Sequence, residues 1–352
     1  MHIDLHQPMA KRNPYSERAI DAAETVERAT AAFQRFGLPV ELELWDHGGF
    51  FWTAQVRNDF LFKLPPGARP IRVAGKGLSR TQCMASCLME LAERISLSWY
   101  ASRNRTEHEC LNLRTGSTGR IGAMDMCNTM CVSAGNNHEE AILHSLQELV
   151  ETRLRGSCYW KPHKVLDFDT CMPELPQWLK DTAVVIKIPS DVAEFHYFTA
   201  LRYRPECPFD ERISDHIDER NGRLFFVPHP RQINHHSPNS GAAAALNPRM
   251  AVLRALNEIF QAECKDIRAS MRQVVPAGIP LVDEDEMHNF ETDSVTEDIR
   301  LMLRLLGEDV FAGCIDVTEP RLGIPVIKLV SDYDPIRSFA SHEVMSGFYA
   351  IP

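Results

Sequence analysis

Three stretches of this chain, 80–100, 138–155 and 248–272, carry apolar residues at helical spacing along one side and a stripe of carboxylate, amide and hydroxyl groups along the other. A helix with one apolar stripe must bury it against a second layer. Short runs that read as strands stand around and between these helices: Val184–Ile188, His196–Leu201, Leu224–Val227, 314–317 and 325–330. Helices and strands interleave, so the predicted class is α/β, with α+β as the neighbouring possibility, built of long amphipathic helices on mixed sheets.

The flanks add detail. Residues 16–36 read as a helix, with Ile20, Val26, Ala29, Phe33 and Phe36 apolar and Gly37 as its stop. Val40, Leu42 and Leu44 alternate with glutamates, and Asp46-His47-Gly48-Gly49 separates them from Phe50–Val56, a hairpin signal. Residues 1–70 are therefore expected to be a helix-and-hairpin portion integral to the fold, and 71–352 the main domain. Pro65–Pro70 and 228–240 read as loops, and Gly241–Ala245 as small residues leading into the third long helix. Asp283-Glu284-Asp285-Glu286 reads as a solvated acidic loop, and 295–306 as a further helix. No repeat and no low-complexity linker is found.

Composition removes several function classes. A net charge of −10 and a pI near 5.8 argue against a nucleic-acid surface, which needs excess Lys and Arg. No apolar run reaches the roughly 18 residues of a membrane span. The first residues, Met1-His2-Ile3-Asp4-Leu5-His6, lack the basic-then-apolar order of a signal peptide, so the cytoplasm is the expected location. The ten cysteines include two x3-spaced pairs, Cys83/Cys87 and Cys127/Cys131, without zinc-site spacing. They are expected to be buried, reduced thiols.

At about 100° per residue, Ser79, Gln82, Ser86, Glu90 and Glu93 share one face of the first long helix, opposite Met84, Leu88, Leu91 and Ile95. In the second, Ser145, Glu148 and Glu151 oppose Ile142, Leu146 and Leu149, with Arg155 beside them. The third presents Arg254, Glu258, Gln261, Lys265 and Arg268. One such stripe is an ordinary solvated face. Three together differ, because carboxylates one turn apart repel and a hard divalent cation reverses that cost. Mg²⁺ takes carboxylate oxygens together with phosphate oxygens, so Glu90, Glu93, Glu148, Glu151 and Glu258 are candidate ligands of Mg²⁺ and a triphosphate. The usual phosphate loops are missing: a Walker motif ending at Lys76 would need Gly at 70 and Ser or Thr at 77, where Pro70 and Gly77 stand.

These segments resemble the YcaO family. The resemblance is carried by Gly75-Lys76-Gly77-Leu78-Ser79, then Ser86, Glu90, Glu93 and Arg94, then Gly135-Asn136-Asn137-His138-Glu139-Glu140-Ala141-Ile142 with Ser145, Glu148 and Glu151. Arg254 to Gln261 and Asp316-Val317-Thr318 through Gly323-Ile324-Pro325-Val326 complete it, over about 70–332. The resemblance implies an ATP- and Mg²⁺-binding domain that phosphorylates a peptide amide oxygen. It implies Glu90, Glu93, Glu148, Glu151 and Glu258 at the metal or phosphates, Ser86, Ser145 and Gln261 as nucleotide contacts, and Lys76 and Arg254 as neutralising cations. The chain departs from the family where Met130-Cys131 replaces a frequent Asn-Gly, and where Glu151-Thr152-Arg153 replaces Glu-Arg-Asp. Its C-terminal residues, Gly347 to Pro352, lack the proline-rich tail of many azoline-forming members. Thioamide formation with a TfuA-type partner is therefore expected, azoline formation is the alternative, and a peptide substrate and a homodimer are anticipated. The first 70 residues leave no obvious room for a leader-binding module. Two further readings stay open: a non-catalytic peptide- or partner-binding relative, and a sulfur carrier using Cys127 or Cys131.

Overall fold

The computed structural model describes residues 3, 5–12, 17–57, 73–103, 105–122, 130–157, 164–190, 192–202, 239–263 and 280–331. The chain forms two compact units: Met1–Leu149 with Thr292–Tyr333, and Val150–Glu291 with Asp334–Pro352. The expected strand Leu224–Val227, the loops 65–70 and 228–238, Cys127, Lys265, Arg268 and the C-terminal residues fall outside the described residues.

In the first unit, helix α1 spans Ala22–Arg35. It starts later than its apolar pattern suggests because Asp21 is extended and its side chain caps the Ala23 N–H. It ends at Gly37, whose φ of 81° suits glycine. Strands β1 (Leu42–His47) and β2 (Phe51–Val56) form the expected hairpin, turning on Gly48 and Gly49, both with positive φ. Strand β3 (Ala74–Gly77) adds antiparallel to β2. The Gly-Lys-Gly motif is thus a strand, and its glycines have a packing reason. A Cβ on Gly75 or Gly77 would collide with the backbone of Cys83 in helix α2 (Arg80–Ala101), which lies directly on the strand. Ser79 caps α2 through the Gln82 N–H.

A second sheet of this unit has the order β5-β4-β11-β12-β6. Its strands are β4 (Glu107–Asn112), β5 (Thr118–Gly122), β6 (Val132–Ala134), β11 (Ala312–Asp316) and β12 (Val326–Ser331). Phe33, Ala54, Cys87, Leu91, Val132, Ile315 and Val326 belong to one core cluster, so both sheets and both helices share it. Helix α3 (His138–Ser157) follows β6.

In the second unit, β7 (Lys164–Val165), β8 (Val184–Ile188), β9 (His196–Arg202) and β10 (Asn239–Ala245) make an antiparallel sheet in the order β10-β9-β8-β7. Short helices α4 (Phe168–Cys171) and α5 (Gln177–Thr182) stand between β7 and β8. Helix α6 (Pro248–Glu263) packs on β10 and β9. Helix α7 (Val295–Leu305) returns the chain to the first unit. The run Gly241–Ala245 is strand rather than approach loop. It pairs along its length with β9, from Asn239↔Arg202 to Ala245↔His196, and its small residues let α6 approach so closely that a Cβ on Gly241 would overlap Ala255.

The α/β class is as expected, and the pairings between described strands are antiparallel. The acidic segment is not simply solvated. Glu284–Met287 is a 3₁₀ turn, and Glu286 is half-buried between Lys164 Nζ at 2.7 Å and Lys187 Nζ at 3.4 Å. Burial raises the Glu286 carboxyl, but the Lys164 hydrogen bond and the other donors and cations outweigh it and hold the group below the usual range. Cys83, Cys87, Cys110, Cys131, Cys171 and Cys314 are buried free thiols, and burial pushes Cys83 up to about 12.

Candidate nucleotide site

The site grows around β6, the last strand of its sheet. A terminal strand leaves peptide groups without strand partners, and at Ala134 side chains take them. Glu93 of α2 accepts the Ala134 N–H at 2.8 Å. Arg18 Nη1 reaches the Ala134 carbonyl at 3.5 Å.

Glu93 is the electrostatic anomaly. Burial holds its carboxyl well above the usual range, and the neighbouring charges of Glu148 and Glu90 push the same way; the Ala134 N–H and Arg94 oppose them without cancelling them. Glu148 of α3 and Glu90 of α2 therefore both lie within electrostatic reach of Glu93. Each of these two has a basic neighbour one turn away: Arg94 is 3.1 Å from Glu90, and His144 is 3.7 Å from Glu148. Carboxylates clustered in this way suit a hard cation. Mg²⁺ needs only one or two protein carboxylates when phosphate and water supply the rest. Among the described residues no group of three or more His, Cys, Asp or Glu is arranged to hold a metal alone. The donor set fits Mg²⁺ carried on a nucleotide.

The turn into β6 is built with strain. Cys131 has φ 55°, the left-handed region in which glycine is the ordinary occupant. This is the position where the resembled family often has glycine. The turn is pinned from two elements: the Cys131 carbonyl accepts from Leu329 N at 2.9 Å and from Ser145 Oγ at 3.3 Å. Lys328 Nζ lies 3.4 Å from the Met130 carbonyl. Ser145 is fully buried, so in this position its hydroxyl anchors the turn.

At the start of α3, His138 Nε2 is 3.4 Å from Asp316. Burial raises the Asp316 carboxyl, but His138 and Thr318 more than offset it and hold it at about 2. Ser86 is half-buried one turn before Glu90, and Lys76 is half-buried in β3. Glu151 is half-buried one turn beyond Glu148, where α3 passes into the second unit. In the second unit Arg254, Glu258 and Gln261 lie half-buried along α6. There Glu258 accepts the Ala242 N–H of β10 at 2.9 Å, the same device by which Glu93 holds Ala134.

Sequence reasoning missed Arg18. It stands in the polar run before α1, with no motif around it, and the contact it makes is 116 residues away.

No protein-family model matches the sequence, and no curated protein matches it. The likeness lies in three dimensions. The YcaO protein of Methanopyrus kandleri, solved bound with AMPPCP and Mg²⁺, superposes with a TM-score of 0.64 at 18% identity, covering 92% of this chain and 93% of that one. A heterocyclase solved in complex with substrate and cofactor superposes with a TM-score of 0.65 at 15% identity over 92% of this chain; the chain spans about half, 53%, of that protein's length. The fold of this chain is the YcaO fold.

Proposed function

We propose that this chain is an ATP- and Mg²⁺-dependent enzyme that activates a backbone amide of a peptide. The observation that carries the reading is the carboxylate cluster of Glu90, Glu93 and Glu148 beside β6, in a chain with the fold of a protein solved with AMPPCP and Mg²⁺. ATP would supply the phosphoryl group that turns the amide oxygen, a poor leaving group, into phosphate, a good one. Glu90, Glu93 and Glu148 would hold the metal, and the resemblance adds Glu151 and Glu258. Arg18, Lys76 and Arg254 would neutralise phosphate charge. Ser86 and Gln261 would contact the nucleotide, and Ser145 would act through the turn it anchors.

The product reading follows the resemblance: a thioamide, with a TfuA-like partner delivering sulfide, and an azoline as the alternative. Both begin from loss of the amide oxygen and differ in mass. Exchange of oxygen for sulfur adds about 16 daltons and cyclodehydration removes about 18. The test incubates peptide, ATP and Mg²⁺ with the chain, with and without a sulfide source and the partner. Consumption of ATP with the sulfide-dependent gain supports thioamidation, and sulfide-independent loss of water installs the azoline reading. Neither a mass change nor ATP turnover would leave a peptide- or partner-binding protein.

A further inference from the structure

Arg18 reaches Ala134 from a segment that belongs to neither helix nor sheet, and one side chain fixes that segment. Glu140, in the first turn of α3, is fully buried. Its Oε1 accepts the backbone N–H groups of Ala19 at 2.9 Å and Ile20 at 3.1 Å. Its Oε2 accepts Asn136 N at 3.0 Å and Asn136 Nδ2 at 2.9 Å, and lies 3.7 Å from Arg18 Nη1. Asn136 Nδ2 also donates to Thr25 Oγ1 of α1 at 2.9 Å, and Gln147 Nε2 donates to Glu17 at 2.6 Å. Residues 17–25 are thus fastened to the β6–α3 turn and to α3 itself, with Glu140 at the centre.

Ala134 is bracketed by two side chains, Glu93 on its N–H and Arg18 on its carbonyl. The guanidinium and the carboxylate cluster are therefore referenced to the same residue. An arginine has five N–H donors in a planar fork that matches phosphate oxygens. The contacts to Ala134 and Glu140 both come from Nη1, and about a third of the side chain, 32%, remains exposed.

We infer that Glu140 is a positioning residue: it clasps the segment before α1 onto the β6–α3 turn so that Arg18 stands beside the carboxylate cluster as a phosphate-binding cation. This rests on the nucleotide reading above. A purely structural Glu140 would tie the segment down equally well but would not couple to Arg18 in nucleotide affinity, and that difference is measurable.

The experiment titrates the full chain with a non-hydrolysable ATP analogue and Mg²⁺ by calorimetry, for wild type, Glu140→Gln, Arg18→Ala and the double variant. Each single change should weaken binding about tenfold, and the double variant should also be about tenfold weaker, because removing the clasp and removing what it positions are one loss. A roughly hundredfold loss in the double variant, or a Glu140→Gln chain with lower melting temperature and intact affinity, overturns the proposal. Arg18→Ala, at a part-exposed side chain, keeps the fold and decides the role of Arg18 even where Glu140→Gln folds poorly; unchanged affinity there ends it. Hydrogen exchange without nucleotide reads the clasp separately. The Ala19 and Ile20 amides should exchange faster in Glu140→Gln, and unchanged exchange refutes the clasp. A wild type that binds no analogue ends the functional reading and the role of Arg18 with it, while the exchange result still stands.

Discussion

Glu93, at strand β6, and Glu140, just beyond it in the first turn of α3, are treated in opposite ways. Glu140 is fully buried and receives four hydrogen bonds, three of them from backbone N–H groups. Among the described residues Glu93 receives one hydrogen bond, from Ala134, and it faces the charges of Glu148 and Glu90. The first carboxylate is satisfied by the protein, and its charge does structural work. The second is left at odds with its neighbours, an arrangement that lowers stability unless a cation arrives. The two carboxylates differ both in exposure, Glu140 being fully buried and Glu93 half-buried, and in the donors that meet them.

The sharpest way to break this contrast is to remove both charges and compare. Glu140→Leu strands four donors in a buried turn and should destabilise the chain by about 3–5 kcal/mol in denaturant unfolding. A loss below about 1 kcal/mol would mean that the segment before α1 contributes little.

Glu93→Gln should do the reverse. Without nucleotide it should be as stable as wild type or more so, since a repelled charge is gone. Wild type should gain about 2.7 kcal/mol from Mg²⁺-nucleotide at a hundred times its Kd, and the variant should lose that gain. Glu90→Ala and Glu148→Ala are expected to behave likewise. A large fall in melting temperature for any of the three without nucleotide would assign it a structural role.

The contrast also has a pH signature. The folded Glu93 carboxyl sits above its unfolded value, so between those values the folded state holds more protons. Wild-type stability from this group is full below the ordinary carboxylate range and falls as pH rises toward the raised value. The excess stability of Glu93→Gln over wild type should therefore grow with pH across that window, as measured by melting at stepped pH; a difference that is flat in pH contradicts the raised carboxyl.

The smallest effect belongs to the turn. Cys131→Gly removes the left-handed strain at φ 55° but makes the unfolded chain more flexible, and should stabilise by about 0.5–1 kcal/mol. Destabilisation would show that the thiol's packing outweighs the strain.

The long helices were legible because their signal is local: apolar residues three and four apart place one face in the core wherever the helix is docked. Strands β8 and β9 were legible for the same reason, as buried runs of Val, Ile, Tyr and Phe. Strand β10 was not, because Asn-Ser-Gly-Ala-Ala-Ala-Ala has no intrinsic strand preference and becomes a strand only by pairing with β9 under α6. The glycines at 75 and 77 were visible as a motif, yet their reason, the closeness of α2 to β3, is a tertiary fact.

The sequence alone determined which helix faces carry carboxylates and that Glu90, Glu93 and Glu148 stand on such faces, since helical periodicity is written in residue spacing. Only the tertiary structure decided that Glu93 is the repelled member, that Ser145 holds a strained turn, and that Arg18 and Glu140 meet across about 120 residues. Charge repulsion, desolvation and hydrogen-bond satisfaction are properties of neighbours in space, and a contact between distant segments leaves no period in the chain from which to read it.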